Sequence, residues 1–142
     1  ELKRGENVRF EGKELEPSEY MREPLIGRRL IVAGDNSRPD ILGEYLEGLD
    51  LLVHECTYTQ EVYEGLAIKV FHTTAKELGQ ALRSRGVKNL IANHIDPRYN
   101  EESPLNVKMI YDEIKEHYEG RLFIAEDFDV YTLGRNRVVQ KL

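Results

Sequence analysis

Four apolar runs in this chain stop on a histidine or a carboxylate. "RRLIVAGD" ends at Asp35, "DLLVHE" at His54 and Glu55, "NLIANH" at His94, and "RLFIAED" at Glu126 and Asp127. Imidazole nitrogens and carboxylate oxygens are common metal ligands, and they are the groups that move protons near neutral pH. Either use needs the donors to converge from separate rigid elements. A pattern repeated at the ends of four runs therefore raises a metal or acid/base site as the hypothesis to test.

Each residue also has a plainer reading. Asp35, in "AGDNS", fits an Asx turn as well as a ligand. His94 fits a core histidine satisfied by backbone. His54 and Glu55 adjoin on a strand, where side chains alternate, so at most one of them is expected to touch a ligand. Glu55 suits orienting an imidazole by hydrogen bonding, with His54 in a supporting place behind the site. His72 precedes a helix N-terminus and reads as a surface loop histidine or as an imidazole beside spare end amides that suit an anion such as phosphate. Thr73 and Thr74 read as caps rather than nucleophiles. Arg98 and Tyr99, in "DPRY", suit either a phosphate contact or a loop ion pair. Glu126 and Asp127 read as strand ends, and His117 as a surface residue. Cys56, the single cysteine, reads as packing. What distinguishes these residues is their shared position beyond strand ends.

The elements that would position them follow from the pattern. "ENVRFEGKELEPSEY" reads as a hairpin turning near Glu11-Gly12, followed by extended chain. "RRLIVAG" reads as a strand, "PDILGEYLEG" as a short helix closed by Gly48, and "DLLVHE" as a strand. Thr74-Ala-Lys-Glu77 is a capping box opening a helix whose face is Ala75, Leu78 and Leu82, with Gly86 closing it. "NLIAN" is a strand. A helix is expected from Pro104, capped by Ser103, with Val107, Ile110 and Ile114 buried and Gly120 at its end. "RLFIA" and "DVYTL" read as the last strands. Alternating strands and helices imply an α/β layer of largely parallel strands, in which strand C-terminal ends share one rim where ligands bind.

Composition limits the partners. With 142 residues, 40% hydrophobic and 32% charged, the chain suits one domain around one core. A formal charge of −6 provides no global field for a polyanion, so nucleic acid would need a local basic patch or a bound cation. One cysteine allows no internal disulfide and fits a reducing cytoplasm. No run approaches the ~20 apolar residues that span a bilayer. The chain opens on Glu1 rather than Met, which fits a trimmed start.

Read together and in order, "GDNSRP", "HECTY", "HTTAKE", "LIANHIDPRY" and "FIAEDFDVYTL" resemble the C-terminal half of ribonuclease Z, of the metallo-β-lactamase superfamily. The likeness runs from about Gly27 to Leu133. It implies that residues 1–142 form a single domain, the C-terminal half of an αββα sandwich, with the N-terminal metal-binding half absent. It further implies a zinc-dependent phosphodiester hydrolase acting on tRNA precursors. Asp35 and His94 would be metal ligands, His72 with Glu55 a general-acid pair, and Arg98 and Thr74 substrate contacts. The chain departs from the family in lacking His-x-His-x-Asp-His. Its four histidines, His54, His72, His94 and His117, are widely spaced. The two-zinc site is thus incomplete, and the chain alone is expected to be inactive. Pairing with an N-terminal half or with a second copy follows as an expectation, because the sheet face meant for a partner would be bare. The alternatives are another hydrolase of this superfamily, acting on small phosphodiesters, sulfate esters or lactones, or a non-catalytic half-domain that pairs with another subunit.

Overall fold

The computed structural model describes residues 1–22, 26–100 and 102–142. The expected extended stretch after the hairpin and the His94–Ser103 loop run partly through residues 23–25 and 101, outside the described residues. The opening hairpin pairs β1 (Val8–Phe10) with β2 (Lys13–Leu15) antiparallel. Its turn uses left-handed Glu11 and Gly12. Pro17–Tyr20 then forms a one-turn helix, α1, with Pro at the tolerated first position, where extended chain was expected.

The scaffold is a four-stranded parallel sheet of β3 (Leu30–Val32), β4 (Leu51–Glu55), β5 (Asn89–Asn93) and β6 (Arg121–Ile124), ordered as in the chain. After α2 (Gln60–Glu64), the longer helices α3 (Ala75–Leu82) and α4 (Val107–Lys115) carry the crossovers from β4 to β5 and from β5 to β6. Right-handed crossovers in an unreversed strand order place every connection on one face. That face holds the main core, in which Leu52, Leu90 and Leu122 meet Leu78, Ile110 and Ile114. On the other face Leu51 and Ile91 pack with Val139 of a second antiparallel hairpin, β7 (Tyr131–Leu133) and β8 (Val139–Lys141).

The core sets the helix boundaries. Ala75, Leu78 and Leu82 of α3 are buried as expected, and the Thr74–Glu77 capping box is complete. Pro39–Leu46 is a 3₁₀ segment, not an α-helix, because Gly43 at φ 47° breaks the helical path. Helix α4 begins at Val107 with Asn106 at its N-cap, later than expected; Ser103 instead accepts a turn bond from the Leu105 amide. Val107, now in the first turn, is 36% exposed, while Ile110 and Ile114 are fully buried. Strand β8 was not foreseen, and β7 pairs with it in a separate two-stranded sheet. No described helix is long and apolar enough to cross a membrane.

Candidate active site at the strand ends

Parallel pairing brings the ends of β3, β4 and β5 to one rim. In register, Val32 lies beside Val53 and Glu55 beside Asn93, so Asp35, Glu55 and His94 leave their strands side by side. His72 arrives from the segment before α3, which is tied down by the Thr57 amide donating to the Thr73 carbonyl at 3.1 Å.

Glu55 is the centre of the arrangement. Fully buried, it accepts from the Thr73 amide at 2.8 Å through Oε1 and from the Thr57 hydroxyl at 2.7 Å through Oε2. Its Oε1 also lies 3.4 Å from His72 Nδ1, a buried nitrogen with no hydrogen-bond partner among the described residues. An orphaned ring nitrogen beside a carboxylate is suited to become a charged pair when the imidazole takes a proton. The His72 ring lies 5.0 Å from that of His94, and His94 Nδ1 is 3.9 Å from Asp35 Oδ1. Asp35 and His94 are the accessible members, with side chains 64% and 49% exposed. His94 adopts φ 56°, a left-handed conformation costly for a non-glycine residue, which turns the chain sharply out of β5.

His54 stands behind the rim, fully buried. Burial drives its pKa down, partly offset by the Glu55 carbonyl and carboxylate, so the ring is neutral. A carbonyl only accepts, so Nδ1 at 2.7 Å from the Glu55 oxygen carries the hydrogen. Nε2 must then accept from Asn36 Nδ2 at 3.1 Å. Asn36 in turn accepts at its carbonyl from the Thr73 hydroxyl. His54 thereby fixes the Asp35 turn against the His72 segment.

The remaining candidates are placed as follows. Arg98 grips Asp96 through two bonds, 2.8 and 3.2 Å, and lies over the Tyr58 ring; its guanidinium holds the Asp96 carboxyl below the usual range. Thr74 is wholly buried, with its hydroxyl engaged by the Glu77 amide, Glu77 and Gln60, so it reaches the rim only through the cap it builds. Glu126 pairs with Lys141, away from the cluster. Cys56 is buried in the core and free.

Sequence reasoning passed over Thr57 and Glu113. Thr57 stands two residues after Glu55, the spacing that returns a side chain to the same side of an extended chain. Glu113 of α4 accepts from the amides of Gln60 and Lys76, bracing the starts of α2 and α3; nothing in a helical surface position signals that.

A metal fits this rim in part. One ligand atom from each of Glu55, His72 and His94 lies within 4.8 Å of the others. Both Glu55 oxygens are already held by donors, so the accessible Asp35 and His94 are the better-suited pair. A cavity of about 650 Å³ opens at the opposite end, between the C-terminal ends of α3 and α4, and is lined by none of these residues. A cleft of about 410 Å³ beside Ile95, Asp96 and Tyr99 adjoins the His94 loop.

Comparison with known proteins adds a lineage. No protein-family model matches the chain. Ribonuclease Z from Pseudomonas putida is 38% identical over 143 residues, covering 99% of this chain and 44% of that protein. Ribonuclease Z from Marinobacter nauticus is 32% identical, over 100% of this chain and 45% of that protein. The Archaeoglobus fulgidus enzyme of the same name is 34% identical over 89% of this chain and 40% of its own length. The chain thus spans less than half the length of the curated relatives it matches. Among solved structures, the metallo-β-lactamase fold protein YhfI from Bacillus subtilis superposes with a TM-score of 0.51. It is 21% identical, covering 68% of this chain and 36% of that one.

Proposed function

The chain is ribonuclease Z-like and has the α/β architecture of the metallo-β-lactamase fold, and from that premise we propose that it is the C-terminal half of a zinc-dependent endonuclease acting at the three-prime end of tRNA precursors. The observation that carries this reading is the meeting of two pairs on one rim: Glu55 with buried His72, and Asp35 with accessible His94, the two rings 5.0 Å apart.

Asp35 and His94 would hold metal. Two protein ligands are fewer than the three that a catalytic zinc usually has. The relatives are more than twice as long as their matched portions, and on this reading the remaining ligands would come from the unmatched length. When bound, zinc supplies Lewis-acid stabilisation of phosphodiester oxygens and a water of lowered pKa. Glu55 Oε1 faces the Nδ1 edge of His72 at 3.4 Å, which leaves Nε2 as the atom that can give a proton to a leaving ribose oxygen. Arg98, half exposed though paired with Asp96, would steady a neighbouring phosphate. With a net charge of −6, the grip on RNA rests on such local cations. The reading entails RNA as partner, a cytoplasmic location, and a second half or second copy against the sheet.

The test is a chimaera in which this chain follows the N-terminal half of a ribonuclease Z. It should bind zinc and cleave a tRNA precursor. His72→Ala should cut turnover by about a hundredfold or more with zinc retained, whereas Asp35→Ala should lose zinc. A zinc-loaded chimaera inert on tRNA precursors overturns the function, and equal zinc loss in both variants overturns the division of roles.

A further inference from the structure

Thr57 is where the three site-bearing segments cross. Its amide donates to the Thr73 carbonyl at 3.1 Å, and its carbonyl accepts from the Asp96 amide at 3.2 Å. Its backbone thus ties the end of β4 to the His72 segment on one side and to the His94 loop on the other. Its side chain makes the same crossing. The hydroxyl, on a residue only 4% exposed, lies 2.7 Å from Glu55 Oε2 and 3.2 Å from His94 Nδ1.

A hydroxyl has one hydrogen to give. The Glu55 carboxylate oxygen accepts it, so toward His94 the Thr57 oxygen offers only a lone pair. His94 Nδ1 must then be the donor, and in a neutral ring that leaves Nε2 unprotonated, with its lone pair on the far edge of the imidazole. A metal takes a lone pair, not an N–H, so the tautomer decides whether an accessible imidazole can ligate without first moving a proton.

We propose that Thr57 is a positioning residue that locks His94 as the Nδ1–H tautomer and so keeps Nε2 ready for a metal ion. The lock also joins the two halves of the site, because one Glu55 carboxylate faces His72 Nδ1 through Oε1 and reaches His94 Nδ1 through the Thr57 hydroxyl. The catalytic meaning of this lock rests on the function proposed above; the tautomer itself does not.

Long-range proton–nitrogen NMR on the metal-free 142-residue chain, at a pH where both imidazoles are neutral, reads which ring nitrogen carries hydrogen. His94 should appear as Nδ1–H. Thr57→Ser should keep that state, and Thr57→Val should shift it toward the Nε2–H form, with the dispersed amide spectrum reporting that the fold is kept. In the zinc-binding chimaera, chelator competition should give about tenfold or more weaker zinc affinity for Thr57→Val and recovery in Thr57→Ser. An Nε2–H His94 in the unsubstituted chain overturns the proposal without needing any variant, and so does zinc affinity unchanged by Thr57→Val. If the tautomer is as stated but the zinc-loaded chimaera leaves tRNA precursors intact, the lock stands and the assigned reaction falls.

Discussion

At Glu55 the direction of the Thr57 hydroxyl, and through it of His94 Nδ1, is set by one acceptor-only side chain. Both oxygens face donors, the Thr73 amide and the Thr57 hydroxyl. Glu55→Gln keeps the shape but gives one of these positions an NH₂. Against the Thr73 amide that would set donor against donor, so the amide oxygen stays there and the NH₂ turns to Thr57. The Thr57 hydroxyl would then donate to His94, which should become the Nε2–H tautomer in the same NMR measurement. The cost should be about 1–3 kcal/mol in urea unfolding, the range for a disturbed buried polar group. His54 supports a second expectation. Its pKa is depressed by burial, so the unfolded chain takes up a proton that the folded chain refuses. Stability should therefore fall as pH drops below about 6.5, the unfolded value. Urea titrations at pH 7.5 and 5.5 should show that loss, and His54→Gln should lessen it; an unchanged slope would mean His54 is not the source. The sequence made Asp35, Glu55 and His94 legible because strand ends are readable from apolar runs that stop, and His72 because it stands just before the Thr74–Glu77 capping box. Thr57 was not, because a hydroxyl's role depends on which neighbours meet it across 37 residues of chain.

Among the elements, α3 and α4 come close enough for glycine to matter. A Cβ added at Gly79 would lie 2.8 Å from the Ile114 carbonyl oxygen and 3.3 Å from His117 Cβ. Helix propensity favours Gly79→Ala by about 1 kcal/mol, but forcing backbone apart costs about 1–3 kcal/mol. The neighbour is a main-chain carbonyl that cannot swing aside, so the net effect should be destabilising, read as a lower urea midpoint with unchanged m-value. A stabilised variant would show that the two helices can part freely. The contact was invisible in the sequence, where Gly79 reads only as a weak spot in an amphipathic helix. What could be read was local: the Thr74–Glu77 box, the Glu11-Gly12 turn and the buried face of α3 are decided within a few residues. What could not be read was decided at a distance. Gly43 cannot be told from a tolerated helical glycine without its φ, and β8 has too short an apolar pattern to register until β7 pairs with it.

For the whole molecule, the consequence of an unreversed strand order is a sheet dressed on one side. Helices cover the face carrying Leu52, Leu90 and Leu122, while on the opposite face the β7–β8 hairpin packs on Leu51 and Ile91. The hairpin stops short of the edge strand. Leu30 and Val32 of β3 share that face with Leu51 and Val53, yet remain 56% and 67% exposed. Phe128 and Val130, leading into the hairpin, are exposed as well. An apolar strip along an open edge strand combines the two features that drive chains together, bare hydrophobic area and unpaired backbone groups. The 142-residue chain on its own should therefore associate with itself, its sedimentation coefficient rising with concentration. Covering two such aliphatic side chains contributes about 1.5–3 kcal/mol each, so replacing both with lysine should weaken association by more than about tenfold, each tenfold being about 1.4 kcal/mol. The core behind β3 is untouched by the change, and the unfolding midpoint should hold nearly steady. A chain that sediments as a monomer at high concentration would mean that the hairpin, or the segment leading into it, closes over the strip in solution.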